Sequence, residues 1–431
     1  MPMSMKGHES RVAQGVAAHL YAQLVTIVTQ LASLPLFMTK WSADKYGEWI
    51  LLSAIPIYLT VADAGILTAA GNLMSMHKAR NATQEVNRIF SCSLLIVIAL
   101  VLGCAVIVVS IMSYFTFGLN LDERKALFFL MMAALLTVAC GIFDAAYRPF
   151  GKYPRVTLLL TTARIVEWAG AIIALYIIGS LSGVALGFLL GRALACGLLC
   201  LFARLDLQEL HWTFSQFDVG VAFRLVKGGV GFLSFPVGNL LMLQGVIVVI
   251  GGRLGGIAVA QFNTSRTLAR VLTQLSIISS KALSPEISAL HGAGRELDAR
   301  LLSDKVLRTI VPLTVVGAIL LAILAPYIIR IWSRGKIACD IGPLSWLLAS
   351  AVASAYWQVC STRLTATNRH SLLATVFILA SLAMIIAVYF TANRFGIMSP
   401  SVATFVVDSV MVIGTLVATS RANLQTGEIV L

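Results

Sequence analysis

The chain has 431 residues, of which 58% are hydrophobic and only 12% charged. That is about half the charged share of an ordinary soluble domain, which excludes a soluble globular fold and predicts an all-α, polytopic integral membrane protein. The formal net charge of +13 does not point to nucleic acid, because the basic residues are scattered over short loops, as the positive-inside bias predicts.

Hydropathy places twelve spans at approximately 15–39, 46–70, 89–115, 126–147, 155–178, 181–202, 228–250, 257–282, 309–331, 341–365, 372–390 and 398–418. The N-terminal MPMSMKGHESRVAQ has neither the apolar core nor the small-residue cleavage site of a signal peptide, so the first span is expected to be retained. An even number of spans puts both termini on one side. With the termini cytoplasmic, about 19 of the 32 Lys and Arg fall on inner segments, about 9 on outer ones and about 4 deep in spans, which favours that orientation. The polar loop from Arg204 to Lys227 divides the chain nearly in half, so the expected organisation is an N-terminal six-helix bundle (1–205), a cytoplasmic linker (206–227) and a C-terminal six-helix bundle (228–431). The seven cysteines lie mostly in apolar runs without a C-x-x-C pair, and are expected to pack as small hydrophobes rather than hold a metal or disulfide.

In the first span, His19, Gln23, Thr26 and Gln30 share one helical face, which serves either interhelical hydrogen bonding or a cavity wall. Pro56 is expected to break the second span, whose Asp63 is either an interfacial group or an ion-coupling acid. In the fourth span, Asp144 lies one turn before Arg148 and is expected to pair locally. In the fifth, Thr157, Thr161, Arg164 and Trp168 form a stripe, and Glu167 follows Arg164 at a spacing that permits a local ion pair, so Arg164 serves either that pair or a cavity wall. Gly183, Gly187, Gly191 and Ala195 of the sixth span recur every four residues, a pattern that lets helix backbones approach closely in lipid. Ser234, Pro236, Gly238 and Asn239 suit a bent or locally unwound seventh span.

The eighth span is the least expected in so apolar a chain. Asn263, Arg266, Arg270, Gln274 and Lys281 are spaced to project from one side of a helix, while Leu268, Val271, Leu272, Leu275 and Ile278 form an apolar arc. Each ionisable group at membrane depth costs roughly 2.5 to 3.5 kcal/mol on insertion scales, so such groups face a bundle interior or a wet cavity. The stripe reads as cavity lining whose natural occupant is an anion; Lys281, near the cytoplasmic turn, also fits an interfacial lysine. In the tenth span Ser350, Ser354, Trp357, Ser361 and Thr365 share a side, suited either to sugar stacking or to helix packing. Asp408 in the twelfth is an isolated intramembrane acid, expected to pair with an arginine or exchange a cation. No phosphate-binding loop, H-E-x-x-H or G-x-S-x-G motif is present, so neither ATP hydrolysis nor a familiar hydrolase is supported. Transport is the expected function.

Two stretches carry a family resemblance. KWSADKYGEWILLSAIPIYLTVADAGI, with Tyr46-Gly47 and Asp63-Ala64-Gly65, resembles the opening of the polysaccharide-transporter (Wzx-type) flippases of the multidrug/oligosaccharidyl-lipid/polysaccharide (MOP) superfamily. LSPEISALHGAGRELDARLL, from Leu283 to Leu302, is similar to the turn after the second helix of that family's C-terminal bundle, and is expected to lead into a charged surface helix. The resemblance implies two six-helix bundles around a central cavity that opens alternately to either side. The implied substrate is an undecaprenyl-diphosphate-linked oligosaccharide moved from the cytoplasmic to the periplasmic leaflet of a bacterial inner membrane, with membrane lipid, a polysaccharide polymerase and a chain-length regulator as partners.

On this reading Arg266, Arg270, Lys281, Arg164, Asn263, Gln274, Gln23 and Trp357 line the substrate cavity, and guanidinium groups offset the dehydration of the diphosphate. Asp63, Glu167 and Asp408 are the ion-coupling candidates, for H+ or Na+, with no organic cofactor. One rival is a drug/cation antiporter of the same superfamily, which should favour acids over arginines in its cavity. The other is a membrane polysaccharide polymerase or ligase, which needs a large outer loop; the longest outer connection here, Thr116 to Lys125, contains no His.

Overall fold

Long apolar runs with no internal polar alternation bury their backbone polar groups within helices, the one open-ended solution available in lipid. The computed structural model describes residues 5–61, 64–114, 118–212, 217–230, 234–292, 295–366 and 371–425. Among them every regular element is helical: α1 (Met5–Lys40), α2 (Ala43–Ala54), α3 (Ile57–Thr60), α4 (Ala64–Ala79), α5 (Thr83–Tyr114), α6 (Leu121–Tyr147), α7 (Tyr153–Ile177), α8 (Leu181–Asp206), α9 (Val219–Val230), α10 (Ser234–Leu240), α11 (Val246–Leu254), α12 (Gly256–Gly292), α13 (Glu296–Trp332), α14 (Ile341–Ala366), α15 (Ser371–Phe395) and α16 (Met398–Gln425). Each expected span falls on one helix or a chain of helices. The break at Pro56 separates α2 from α3, and the seventh span falls on α9, α10 and α11, with a π-helical turn at Leu241–Gly245.

Nine helical stretches among the described residues are long and apolar enough to cross a membrane, and α2 to α4 together make a tenth as a bent pair. Helices α12 and α14 fall short of that standard because of the polar stripes read above. The protein is a multi-pass membrane protein. Its outward faces carry large apolar side chains, such as Leu102 at 61% and Val106 at 66% exposure on α5, which water would not tolerate as a continuous surface but acyl chains cover. One expectation fails: the stretch from Leu283 to Leu302 is not a turn followed by a surface helix. Helix α12 runs on to Gly292, and the charged run from Glu296 opens α13, which continues to Trp332.

The chain packs as two units, Met1–Lys40 with Leu52–Pro236, and Trp41–Leu51 with Val237–Leu431. In the first, α8 packs on both α6 and α7, while α1 lies along α7. Asn120 and Glu123 form a capping box at the start of α6 (2.9 and 2.8 Å), satisfying N–H groups the helix leaves open. The Asp122 carboxylate accepts the Leu181 and Ser182 N–H groups at 3.0 and 3.1 Å, which binds the start of α6 to the start of α8, where a helix favours negative charge. Further along, the core is closed by Phe90, Met74, Tyr147 and Leu225, all with essentially no exposure. In the second unit α14 is central, packed on α12, α13 and α16, and α15 lies against α16 and α11.

Two glycine crossings explain why short segments join the unit they do. A Cβ on Gly65 would stand 2.0 Å from the Gly229 carbonyl oxygen, so α4 and α9 touch backbone to backbone in the first unit. A Cβ on Gly47 would stand 1.8 Å from the Gly256 carbonyl oxygen, so α2 and the start of α12 do the same in the second. Only glycine admits either contact. These are the glycines of Tyr46-Gly47 and Asp63-Ala64-Gly65, so both short motifs have a packing reason.

Candidate functional site

Helix α12 presents its polar stripe inward along most of its length. Arg266 and Gln274 are buried, Asn263 and Arg270 half-buried, while Val271 and Leu275 of the apolar arc are exposed. Lys281, at the far end of the stripe, is exposed.

The Arg266 guanidinium donates to the Leu243 carbonyl oxygen at 2.7 Å and to Asn263 Oδ1 at 3.0 Å, and lies 5.3 Å from the Phe262 ring centre. Leu243 belongs to a π-helical turn, Leu241–Gly245, between α10 and α11. A π turn widens the helix and disturbs the regular carbonyl pairing, and here a guanidinium on the neighbouring helix bonds one of its carbonyls. The seventh span is therefore locally rewound, as Ser234, Pro236, Gly238 and Asn239 suggested, but its irregularity peaks at 241–245. The sequence did not single out Leu243, whose contribution is a backbone atom with no side-chain signature. One turn beyond Arg266, the Arg270 guanidinium has no hydrogen bond or ion pair from any described residue. Neither arginine is paired with a carboxylate among the described residues.

Arg164 and Gln23 lie in the other unit, on an α1–α7 seam. Tyr153 and His19 meet at 2.5 Å, the Arg164 guanidinium donates to Thr26 Oγ1 at 2.8 Å, Trp168 Nε1–H to Ser33 Oγ at 2.9 Å, and Thr39 to Tyr176 at 3.2 Å. The polar face of α1 thus holds α7 by interhelical hydrogen bonds. Gln23 is half-buried on that face and Arg164 remains exposed.

The Arg164–Glu167 pair that the spacing permits does not form. Glu167 pairs instead with Arg192 of α8, both nearly buried, because α7 and α8 approach closely where a Cβ on Gly187 would stand 2.4 Å from the Gly170 carbonyl oxygen. That approach brings Arg192 onto Glu167, whereas Arg164, three residues before Glu167 on α7, turns to α1. The role of Arg192 as counter-ion follows from which helix lies alongside. Asp144 does pair with Arg148, as its spacing predicted.

Of the two roles expected for Asp408, the arginine pairing does not form among the described residues. Asp408 is 2% exposed, and its carboxylate accepts hydrogen bonds from Trp357 Nε1–H at 2.8 Å and from the Ser350 hydroxyl. Two neutral donors on α14 take the place of an arginine, and the Trp357 ring stacks 5.7 Å from Phe377. Trp357, put forward as a sugar platform, is thus tied to Asp408 and is itself buried. Asp63 lies outside the described residues. No group of three or more His, Cys, Asp or Glu side chains among the described residues could hold a metal ion.

No family model matches the sequence, and no curated protein does. Solved structures do. An inward-facing multidrug resistance MATE family transporter of the MOP superfamily aligns with a TM-score of 0.74 at 13% identity, over 94% of this chain and 100% of that one. The lipid II flippase MurJ, in an inward closed conformation, aligns with a TM-score of 0.70 at 14% identity, over 94% of this chain and 87% of that one. A MOP superfamily transporter from Pyrococcus furiosus, described as having a binding pocket of reversed polarity, aligns with a TM-score of 0.58 at 15% identity, over 94% and 97%. The chain shares its fold with these transporters. At these identities the likeness speaks for the fold, and the site must be argued from this chain's own residues.

Proposed function

We infer that the protein is a flippase that carries an undecaprenyl-diphosphate-linked oligosaccharide from the cytoplasmic to the periplasmic leaflet of a bacterial inner membrane by alternating access. The observation that carries this reading is the pair Arg266 and Arg270, one turn apart on α12, buried or half-buried and without a carboxylate partner among the described residues. Two uncompensated guanidinium groups at membrane depth are costly, and a diphosphate supplies the missing counter-charge through charge-assisted, bidentate hydrogen bonds. Asn263 and Gln274 on the same face supply neutral partners for sugar hydroxyls. Lys281 is a secondary contact on this reading, and both termini face the cytoplasm. That the fold is shared with a lipid II flippase supports the same class of cargo.

The test is transport in proteoliposomes. Purified protein should raise the fraction of a fluorescent diphosphate-linked oligosaccharide lipid accessible to an external glycosidase, and Arg266→Gln/Arg270→Gln should reduce that gain to the protein-free level. Equal accessibility with and without protein would overturn the reading.

Asp408 favours a second reading, cation antiport. A buried carboxylate held by neutral donors is suited to exchanging a proton or sodium ion, and the fold is shared with MATE transporters. Uptake of a cationic dye driven by an imposed ion gradient, lost in Asp408→Asn and kept in Arg270→Gln, would support it. On the flippase reading Asp408 couples the same lipid cargo to the ion gradient, and no dye moves.

A further inference from the structure

Helices α15 and α16 enclose an apolar groove of about 520 Å³ that the transport reading does not use. Ala380, Ala383 and Ala387 of α15 form one wall, and Val402, Val406 and Val410 of α16 the other. Val406 and Val410 are 49% and 37% exposed, so the groove opens on the outer surface of its helix pair. Its only polar lining groups are spent internally: the Thr391 hydroxyl donates to the Ala387 carbonyl oxygen at 2.7 Å and meets the Ser399 hydroxyl at 2.6 Å. Nothing in the groove asks for a polar ligand.

One end does. Phe395 and Met398 close the groove at the turn between the two helices. The exposed Arg394 guanidinium lies 5.5 Å from the Phe395 ring centre, and Arg394 has no ion-pair partner among the described residues. A cation therefore stands at the mouth of a greasy slot, at the end of a spanning helix, where lipid headgroups lie. From Ala380 to Phe395 the wall runs about 22 Å at the helical rise of about 1.5 Å per residue, more than the roughly 15 Å that makes half of a 30 Å hydrocarbon layer. An acyl chain entering from the leaflet at the turn can lie extended along it.

We propose that the α15–α16 groove is a binding site for an anionic phospholipid, with one acyl chain along the alanine and valine walls and the headgroup phosphate at Arg394. The site is independent of the cargo and of the arginines on α12. Occupancy fills a void that would otherwise forfeit packing contacts, and the headgroup preference comes from Arg394.

The test is native mass spectrometry of the full-length protein released from nanodiscs of equimolar phosphatidylglycerol and phosphatidylcholine. The wild type should retain one phosphatidylglycerol per chain. Arg394→Gln, at an exposed position that leaves the fold intact, should lower the retained phosphatidylglycerol to phosphatidylcholine ratio about fivefold, as expected for one basic residue worth about 1 kcal/mol at an anionic headgroup layer. Ala387→Phe should abolish retention of either lipid, while the equally bulky Leu379→Phe, at a residue 61% exposed and outside the groove, should not. Retention in the bulk ratio by the wild type, an unchanged ratio in Arg394→Gln, or recovery of a polyprenyl lipid at this position from native membranes would each overturn the proposal.

Discussion

At the scale of single residues, the buried charges divide into those with partners inside the protein and those without. Glu167 and Arg192 satisfy each other, so removing one leaves an uncompensated charge. Arg192→Ala should cost about 3 to 5 kcal/mol, read as a lowered denaturation midpoint in detergent, and Glu167→Gln/Arg192→Gln should recover most of it. If the single and double variants melt alike, the pair contributes no more than either residue alone. Asp408 gives a second cycle. Trp357→Phe keeps the ring against Phe377 but deletes a donor to the carboxylate, a loss of roughly 1.5 to 3 kcal/mol for a charged acceptor. In an Asp408→Asn background the same change should cost less than half as much; an equal cost in both backgrounds would mean the indole matters for packing alone. Arg266 and Arg270 differ in the same way. Arg266→Met strands the Leu243 carbonyl and should destabilise by about 1 to 3 kcal/mol, whereas Arg270→Met removes no internal bond and should leave thermal stability unchanged or improved. A matching loss in both would place an internal partner on Arg270.

At the scale of helices, what the sequence revealed was periodicity and what it hid was neighbours. The stripe on α12 was legible because 3.6-residue spacing puts Asn263, Arg266, Arg270 and Gln274 together whatever surrounds them. The glycine row of α8 was legible for the same reason, and its use is confirmed by the Gly170–Gly187 approach. The partner of Glu167 was not legible: the spacing offers Arg164 on its own helix, while the nearer cation comes from α8 by tertiary packing. The Arg266–Leu243 bond was hidden because a carbonyl leaves no mark in the residue code. The extension of α12 to Gly292 was missed because Pro285 and two glycines mimic a turn. The α7–α8 crossing carries its own prediction. A Cβ on Gly187 meets backbone rather than a yielding side chain, so Gly187→Ala should cost about 1 to 3 kcal/mol and Gly187→Val more, seen as reduced yield of monodisperse protein. Wild-type yield and melting in Gly187→Val would show that the helices separate freely there.

At the scale of the whole molecule, most spans were legible because they are long apolar runs: among the described residues nine helical stretches, or ten with the bent α2–α4 pair, are long and apolar enough to cross a membrane, and α12 and α14 fall short because polar residues interrupt them. The connecting loop from Arg204 to Lys227 marks a division in chain order; the packing adds that residues 41–51 join the second unit and 219–236 the first, through glycine contacts that hydropathy does not register. The fold is shared with transporters of quite different cargo, so the proposed function rests on local chemistry, above all on Arg270, a cation with no carboxylate partner among the described residues. The measurement that bears on this most directly is equilibrium binding of a diphosphate-linked oligosaccharide lipid to purified wild-type protein and to Arg270→Gln, with melting recorded in parallel. Loss of one charge-assisted contact, worth about 1.5 to 3 kcal/mol, should weaken binding about ten- to 150-fold while the melting temperature holds. Equal affinity in the two proteins, with melting unchanged, would contradict the account.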